Sequence, residues 1–207
     1  MKQSLRLLAL AAALTAAFNA HAVVDATGDF LASFTGTHNA ALDIVAADVS
    51  FDAAAGNFLL HAQTSGAIAG APNVTYVFGF NRGGTANTPF GAIGLPDIAF
   101  NATAQLRADG TGAVGANAVT PNIIGNEIFG TVSASLLPSN GFAAQDYTWA
   151  LWTIDTGITG LARNADFAAS TNLAVAAVPE PETYALMLAG IGVVGVVARR
   201  RSRARQE

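Results

Sequence analysis

The chain has 207 residues, no cysteine, and ten Lys and Arg against fourteen Asp and Glu, for a formal charge of −4. That composition excludes a disulfide scaffold and thiol chemistry. Seven of the ten basic residues lie in the first 22 or last 29 positions, so the segment 23–178 holds three arginines and no lysine against eleven acids, a net of −8. Such a segment is a poor partner for nucleic acid, whose phosphates need basic neutralisation.

In chain order, Lys2 and Arg6 precede an apolar run from Leu7 to Phe18, and Ala20-His21-Ala22 follows. A positive start, an apolar stretch and a small-x-small site predict a signal peptide over 1–22, cut after Ala22, with Ala20 and Ala22 as the signal-peptidase residues. About 156 residues are then left to fold, enough for one domain over 23–178 with its own core.

Within 23–178 the apolar period is mostly two, which predicts strands. Phe58, Leu60 and Ala62 line one, after the turn Ala55-Gly56-Asn57. Val74, Tyr76, Phe78 and Phe80 line a second, closed by Asn81-Arg82-Gly83-Gly84. Ile98, Phe100, Ala102, Ala104 and Leu106 alternate with polar residues in a third, ended by Asp109-Gly110-Thr111-Gly112. Ile128, Val132, Ala134 and Leu136 give a fourth, and Tyr147, Trp149 and Leu151 a fifth. Weaker patterns place strands near 30–35, 42–51, 113–119 and 173–178, and short helical turns near 135–142 and 163–168. Eight or nine short strands separated by Gly, Asn, Asp and Pro predict an all-β fold, an antiparallel sandwich or jelly-roll-like domain.

Chemistry is sparse in this segment. A glycosidase needs two carboxylates flanking the scissile bond, yet Glu127 is the only Glu, and Asp43, Asp48 and Asp52 read as solvated strand residues. His38 and His61 are its only histidines, His38 in a turn and His61 on an exposed strand face. They supply no triad and no zinc spacing. The loops at Asp25-Ala-Thr-Gly-Asp29 and Asp109-Gly-Thr-Gly112 offer oxygens suited to Ca²⁺, but the spacing favours plain Asx-turns, so no metal or other cofactor is expected. Trp149 and Trp152 have opposite strand parity, so one should face out and contact a ligand; with Tyr76 and Tyr147 they are the candidate sugar-stacking residues, although core packing is the commoner fate of such rings. Asn73-Val74-Thr75 and Asn101-Ala102-Thr103 match the N-glycosylation pattern and are taken as unused.

The tail is more explicit. Val178-Pro179-Glu180-Pro181-Glu182 is held extended by its prolines. From Thr183 to Ala198 there are sixteen uncharged residues, which a helix would stretch over roughly 24 Å against a hydrocarbon core of ~30 Å. Five arginines in 199–205 then fix the C-terminus inside by the positive-inside rule. The sequence predicts one transmembrane helix over 183–198 and a basic tail over 199–207.

This tail resembles the PEP-CTERM sorting signal of Gram-negative bacteria, over Val178 to about Arg203. The resemblance implies recognition of Val178, Pro179, Glu180 and Pro181 by an exosortase-type processing enzyme, a transient inner-membrane anchor, and delivery to the cell envelope or extracellular matrix of a species that makes exopolysaccharide. It implies sorting rather than activity. A fainter likeness, to the closing third of carbohydrate-binding-type β-sandwiches, rests on Gly130 to Pro138, Asp146-Tyr147-Thr148-Trp149 and Ala165-Asp166-Phe167. The expectation is a non-enzymatic structural or adhesive protein linked to exopolysaccharide; the alternatives are a carbohydrate-binding module and, behind it, a glycan hydrolase.

Overall fold

The computed structural model describes residues 22–178 and Ile191. The expected signal peptide before Ala22, Pro179 to Glu182, the expected transmembrane stretch apart from Ile191, and the arginine tail lie outside the described residues. Among the described residues no helix is long and apolar enough to cross a membrane.

Among the described residues the fold is all-β, with thirteen strands: β1 (Val23–Val24), β2 (Ile44–Asp52), β3 (Asn57–Thr64), β4 (Val74–Asn81), β5 (Ala102–Arg107), β6 (Gly112–Val114), β7 (Asn117–Val119), β8 (Asn122–Ile124), β9 (Glu127–Ser133), β10 (Thr148–Asp155), β11 (Asn164–Phe167), β12 (Leu173–Ala174) and β13 (Ala176–Ala177). One sheet runs β1-β2-β3-β9-β8, the other β11-β10-β4-β5-β6-β7. All pairs are antiparallel except β13, which lies parallel on β2. The last two strands divide between the sheets, β12 pairing with β10 and β13 with β2.

The period-two pattern explains the core between the sheets. Phe58, Leu60 and Ala62 from β3 meet Tyr76, Phe78 and Phe80 from β4, with Ile128 and Val132 of β9 and Trp149 and Leu151 of β10. Phe58 is in ring contact with Phe51, Phe80 and Tyr147. Burial of rings this large supplies much of the apolar stabilisation, at about 25 cal/mol per Å² removed from water.

Three departures from the sequence pattern have physical causes. Ile98 and Phe100 share parity with Ala104 and Leu106, yet β5 begins only at Ala102. The segment 87–100 instead crosses the outer face of the second sheet, pinned by reciprocal Asn87–Phe100 backbone bonds of 2.9 and 3.0 Å. There Phe90, Leu95 and Ile98 cover Val77, Ala150, Trp152 and Ile154. This second apolar layer is why β4 and β10 are buried on both faces. In the same way β9 stops at Ser133, whose hydroxyl accepts from Ser135 N and starts a 3-10 turn over Ala134–Leu136. The helical turn expected near 163–168 lies earlier, as a 3-10 turn over Leu161–Arg163, and Asn164–Phe167, with Asp166 and Phe167, is strand β11. Phe30–Thr35 forms turns rather than a strand, while 113–119 is the tight β6–β7 hairpin.

Sheet-to-sheet polar bonds complete the core. Tyr76 OH donates to Ala41 O at 2.6 Å, and Thr153 Oγ1 donates to Leu42 O. Thr153→Val keeps the shape but strands the Leu42 carbonyl, a loss of about 1–3 kcal/mol. The melting temperature should fall by roughly 3–10 °C. Thr156→Val, which removes an exposed bond to Asn73 O, should change it by no more than about 1–2 °C; calorimetry compares the two.

Candidate functional site

Three arrangements carry chemistry, and none is contiguous in sequence. The first is a group of carboxyl groups at the edge where the two sheets meet. Asp25, Asp29 and Asp166 each bring a carboxylate oxygen to within 4.8 Å of the others. Asp166 is buried because β11 bulges: Thr153 pairs with Asp166 but Ile154 with Asn164, so Ala165 is the extra residue and Asp166 turns into the core. Its Oδ2 accepts from Ile44 N and its Oδ1 from Phe167 N, both at 2.7 Å. Asp43, expected at a solvated strand position, is also buried. It precedes β2, and its Oδ1 accepts from Gly28 N at 2.9 Å, which holds the 25–29 loop.

Burial raises the pKa of Asp166 to about 7; its backbone bonds oppose this, and the Asp25 and Asp29 charges add to it. Burial and the neighbouring Asp29 raise Asp25 to about 6, and its Oδ2 has no hydrogen-bond partner. Like charges at this spacing need a shared proton or a cation. Hard, oxygen-only ligation of this kind suits Ca²⁺. The other loop considered for Ca²⁺ is an Asx-turn: Asp109 Oδ1 accepts from Thr111 N at 2.9 Å and from Thr111 Oγ1 at 2.7 Å.

The second arrangement is on the outer face of the first sheet. His61 is half-buried, not fully exposed as its parity suggests, because it stacks on the cross-strand Phe129 with ring centres 4.6 Å apart. Its Nδ1 is 2.8 Å from Asp48 Oδ1, and its Nε2 is 3.3 Å from Glu127 Oε1. Burial pushes its pKa down, but the Asp48 bond and the charges of Asp48 and Glu127 outweigh this and leave it raised. The two carboxylates sit on opposite sides of one imidazole, so they do not flank a shared substrate position as a glycosidase pair would. His38 is exposed and stacks on Phe30, with ring centres 4.3 Å apart.

The third is a cleft of about 530 Å³ on the outer face of the second sheet. Trp149 and Trp152 do point to opposite faces. Trp149 is 1% exposed in the inter-sheet core, its Nε1 donating to Ala174 O at 3.1 Å. Tyr76 and Tyr147 are buried there too, so these three rings form no external platform. Trp152 is 5% exposed, packed against Phe90, Phe100 and Phe167, and closes the floor of the cleft. It fits because Gly79 lies under the ring: a Cβ there would stand 2.7 Å from the indole. Thr103, Gln105, Asn164 and Arg163 line the sides.

The sequence singles out Asp25 and Asp29 in one loop and Trp152 on its strand, but not Asp166 or the other cleft residues, which distant parts of the chain bring to them. One signal was available: Asp43 and Asp166 each stand inside an apolar run, Leu42-Asp43-Ile44 and Ala165-Asp166-Phe167.

With the fold in place, the end of the chain becomes informative. Val178 N donates to Phe51 O at 3.1 Å, so the folded part reaches the residue before Pro179. Residues 177–201 match the family model of the PEP-CTERM protein-sorting motif. The tail is a sorting signal that marks an exported protein for an exosortase, a membrane enzyme. No curated protein and no solved structure matches the chain.

The carboxyl group sets a pH dependence. A carboxyl whose folded pKa is raised favours folding below its unfolded value, and that contribution is lost as pH rises through the folded value. Without divalent cations, the melting temperature should fall by on the order of 5 °C between pH 5 and pH 8. His61, also raised, acts in the same direction above its ordinary pKa of 6.5. Asp25→Asn removes one charge and should flatten the fall, as should millimolar Ca²⁺ at pH 8 if a cation is held there. A profile that rises towards pH 8, or one that Asp25→Asn leaves unaltered, contradicts this account.

Proposed function

We propose that this is an exported, non-enzymatic protein whose 23–178 segment serves a structural or adhesive role in the cell envelope or extracellular matrix, linked to exopolysaccharide. The observation that carries the reading is the junction at Val178, where the sheet edge passes directly into the sorting motif. On this reading residues 1–22 open the export route, the 183–198 helix anchors the precursor in the inner membrane, and the arginines of 199–205 hold its end inside. Processing at Val178-Pro179-Glu180-Pro181 then releases the folded part from its anchor.

The state of the ionisable groups supports a role without catalysis. Both oxygens of Asp166 are taken by backbone amides, and His61 is held between Asp48 and Glu127. A net charge of −8 with no lysine keeps the segment soluble outside the cell and gives it little attraction for anionic surfaces.

A second reading is favoured by the Trp152 cleft. An apolar floor, where partly exposed Phe100 packs on the buried Trp152, and polar sides are the form that saccharide sites take, apolar surface against apolar sugar faces and hydroxyls against polar side chains. On that reading the segment is a carbohydrate-binding module that acts where the sorting signal delivers it.

Replacement of Pro179, Glu180 and Pro181 by alanines in the native host should leave a full-length, membrane-held species, visible on immunoblots of fractionated cells. A processed product of unchanged mass and location would overturn the sorting role of these residues.

A further inference from the structure

The segment 23–178 has only three cations, and two are committed to the fold. Arg82 Nε donates to Asn101 Oδ1 at 3.0 Å, its Nη2 to Asn101 O at 3.1 Å and its Nη1 to Pro138 O at 2.8 Å. Arg107 donates to Gln105 Oε1 at 3.2 Å and to Thr111 Oγ1 at 3.4 Å. Arg163 is exposed, and among the described residues its guanidinium makes no hydrogen bond and no ion pair. It ends the 3-10 turn Leu161–Arg163, fixed by Asn164 Nδ2 donating to Leu161 O at 2.8 Å, and lines the Trp152 cleft.

The charge of the cleft is unusual for this protein. The clefts at Arg107, His61 and His38 each include an aspartate, Asp109, Asp48 and Asp155 respectively. The Trp152 cleft has an arginine and no acid among its lining residues, although the segment holds eleven acids. A guanidinium presents paired N–H donors that match a carboxylate in a bidentate geometry. Thr103 and Gln105 add neutral donors and acceptors, and Phe100, partly exposed over the buried Trp152, adds apolar surface below them. The volume, about 530 Å³, lies within the range of small-ligand sites and suits one or two hexose rings.

We infer that the Trp152 cleft binds a carboxylated saccharide, a uronate unit of a glycan, with Arg163 pairing its carboxylate. This rests on the saccharide-binding reading of the cleft and adds the anionic class. The rest of the surface is acidic and repels such a chain, so the cleft is where a uronate unit is held and the surrounding charge limits how tightly. Binding is therefore expected to be weak and selective for the carboxylate.

The test uses the full-length chain in detergent, titrated with tetragalacturonate, with its methyl ester and with maltotetraose. Intrinsic fluorescence reports Trp152 at the cleft, since Trp149 is sealed in the core. Tetragalacturonate should bind, and the methyl ester should bind at least tenfold more weakly. Arg163→Met, which keeps the apolar stem and should leave the melting temperature unchanged, should weaken tetragalacturonate by at least tenfold, with Arg163→Lys between. Arg107→Met, at a different cleft, should have little effect. Equal binding of the acid and its ester, or full binding by Arg163→Met, overturns the inference but leaves the saccharide reading standing. No binding of any of the three chains overturns both.

Discussion

The segment Ala41 to Ile44 enters the first sheet through the core, where its backbone groups cannot reach water. Three side chains of the opposite sheet pair them: Tyr76 OH takes the Ala41 carbonyl, Thr153 Oγ1 the Leu42 carbonyl, and Asp166 Oδ2 the Ile44 amide. Apolar packing is non-directional and would tolerate a slide of one sheet over the other. Buried polar bonds would not, because each one lost leaves a desolvated group unpaired. These three bonds therefore fix the relative register of the sheets, and the rest of the arrangement follows from that register. Burial of Asp166 brings it to Asp25 and Asp29, and the bulge that buries it sends Phe167 to the outer face, where it stacks on Trp152. The carboxyl group and the floor of the cleft thus share one irregularity in β11.

Much of the inner core was legible in the sequence. The alternation of Phe58-Leu60-Ala62 and of Val74-Tyr76-Phe78-Phe80 predicts both strands and the face each presents, because a period of two has only one way to bury its apolar set. The opposite parity of Trp149 and Trp152 correctly sends one ring to each face. Parity fails where the backbone is irregular. At Ala165 one extra residue turns Asp166 inward, and a second shift between Ile44 and Ala46 brings both Ile44 and Ala47 into the core. Parity also cannot say what covers an outer face. The apolar residues of 90–100 look like the start of a strand, and only the three-dimensional path shows them lying across Trp152. The sites were illegible for a related reason: they gather residues from distant strands, and Arg163 is notable only once Arg82 and Arg107 are seen to be engaged.

The tail was the most legible part, because a sorting signal must be read as a linear peptide. Proline, acid and arginine at fixed spacing carry its information without a fold, and the match over 177–201 rests on that. The folded part adds one constraint. Strand β13 and the Val178 amide are bonded to β2, which leaves no free spacer between the last hydrogen bond of the sheet and Pro179. A processing enzyme that grips the motif must work against the edge of the folded domain, or draw β13 away from it. Two residues of parallel pairing are a small barrier to the second route.

The same shortness makes β12 and β13 informative about how the fold is closed. Each sheet would otherwise present part of a long strand, β10 or β2, with unpaired backbone groups at its edge, a template for unwanted pairing with another chain. The chain covers both with its last four strand residues, Leu173 and Ala174 on β10 followed by Ala176 and Ala177 on β2, while β11 and β1 cover the neighbouring stretches. The covering strands are also the last part of the folded segment before the sorting motif, so a chain cut upstream of Val175 would lose the cover of β2 together with its address. Closure of the sheets and sorting are therefore coupled through one short stretch of sequence.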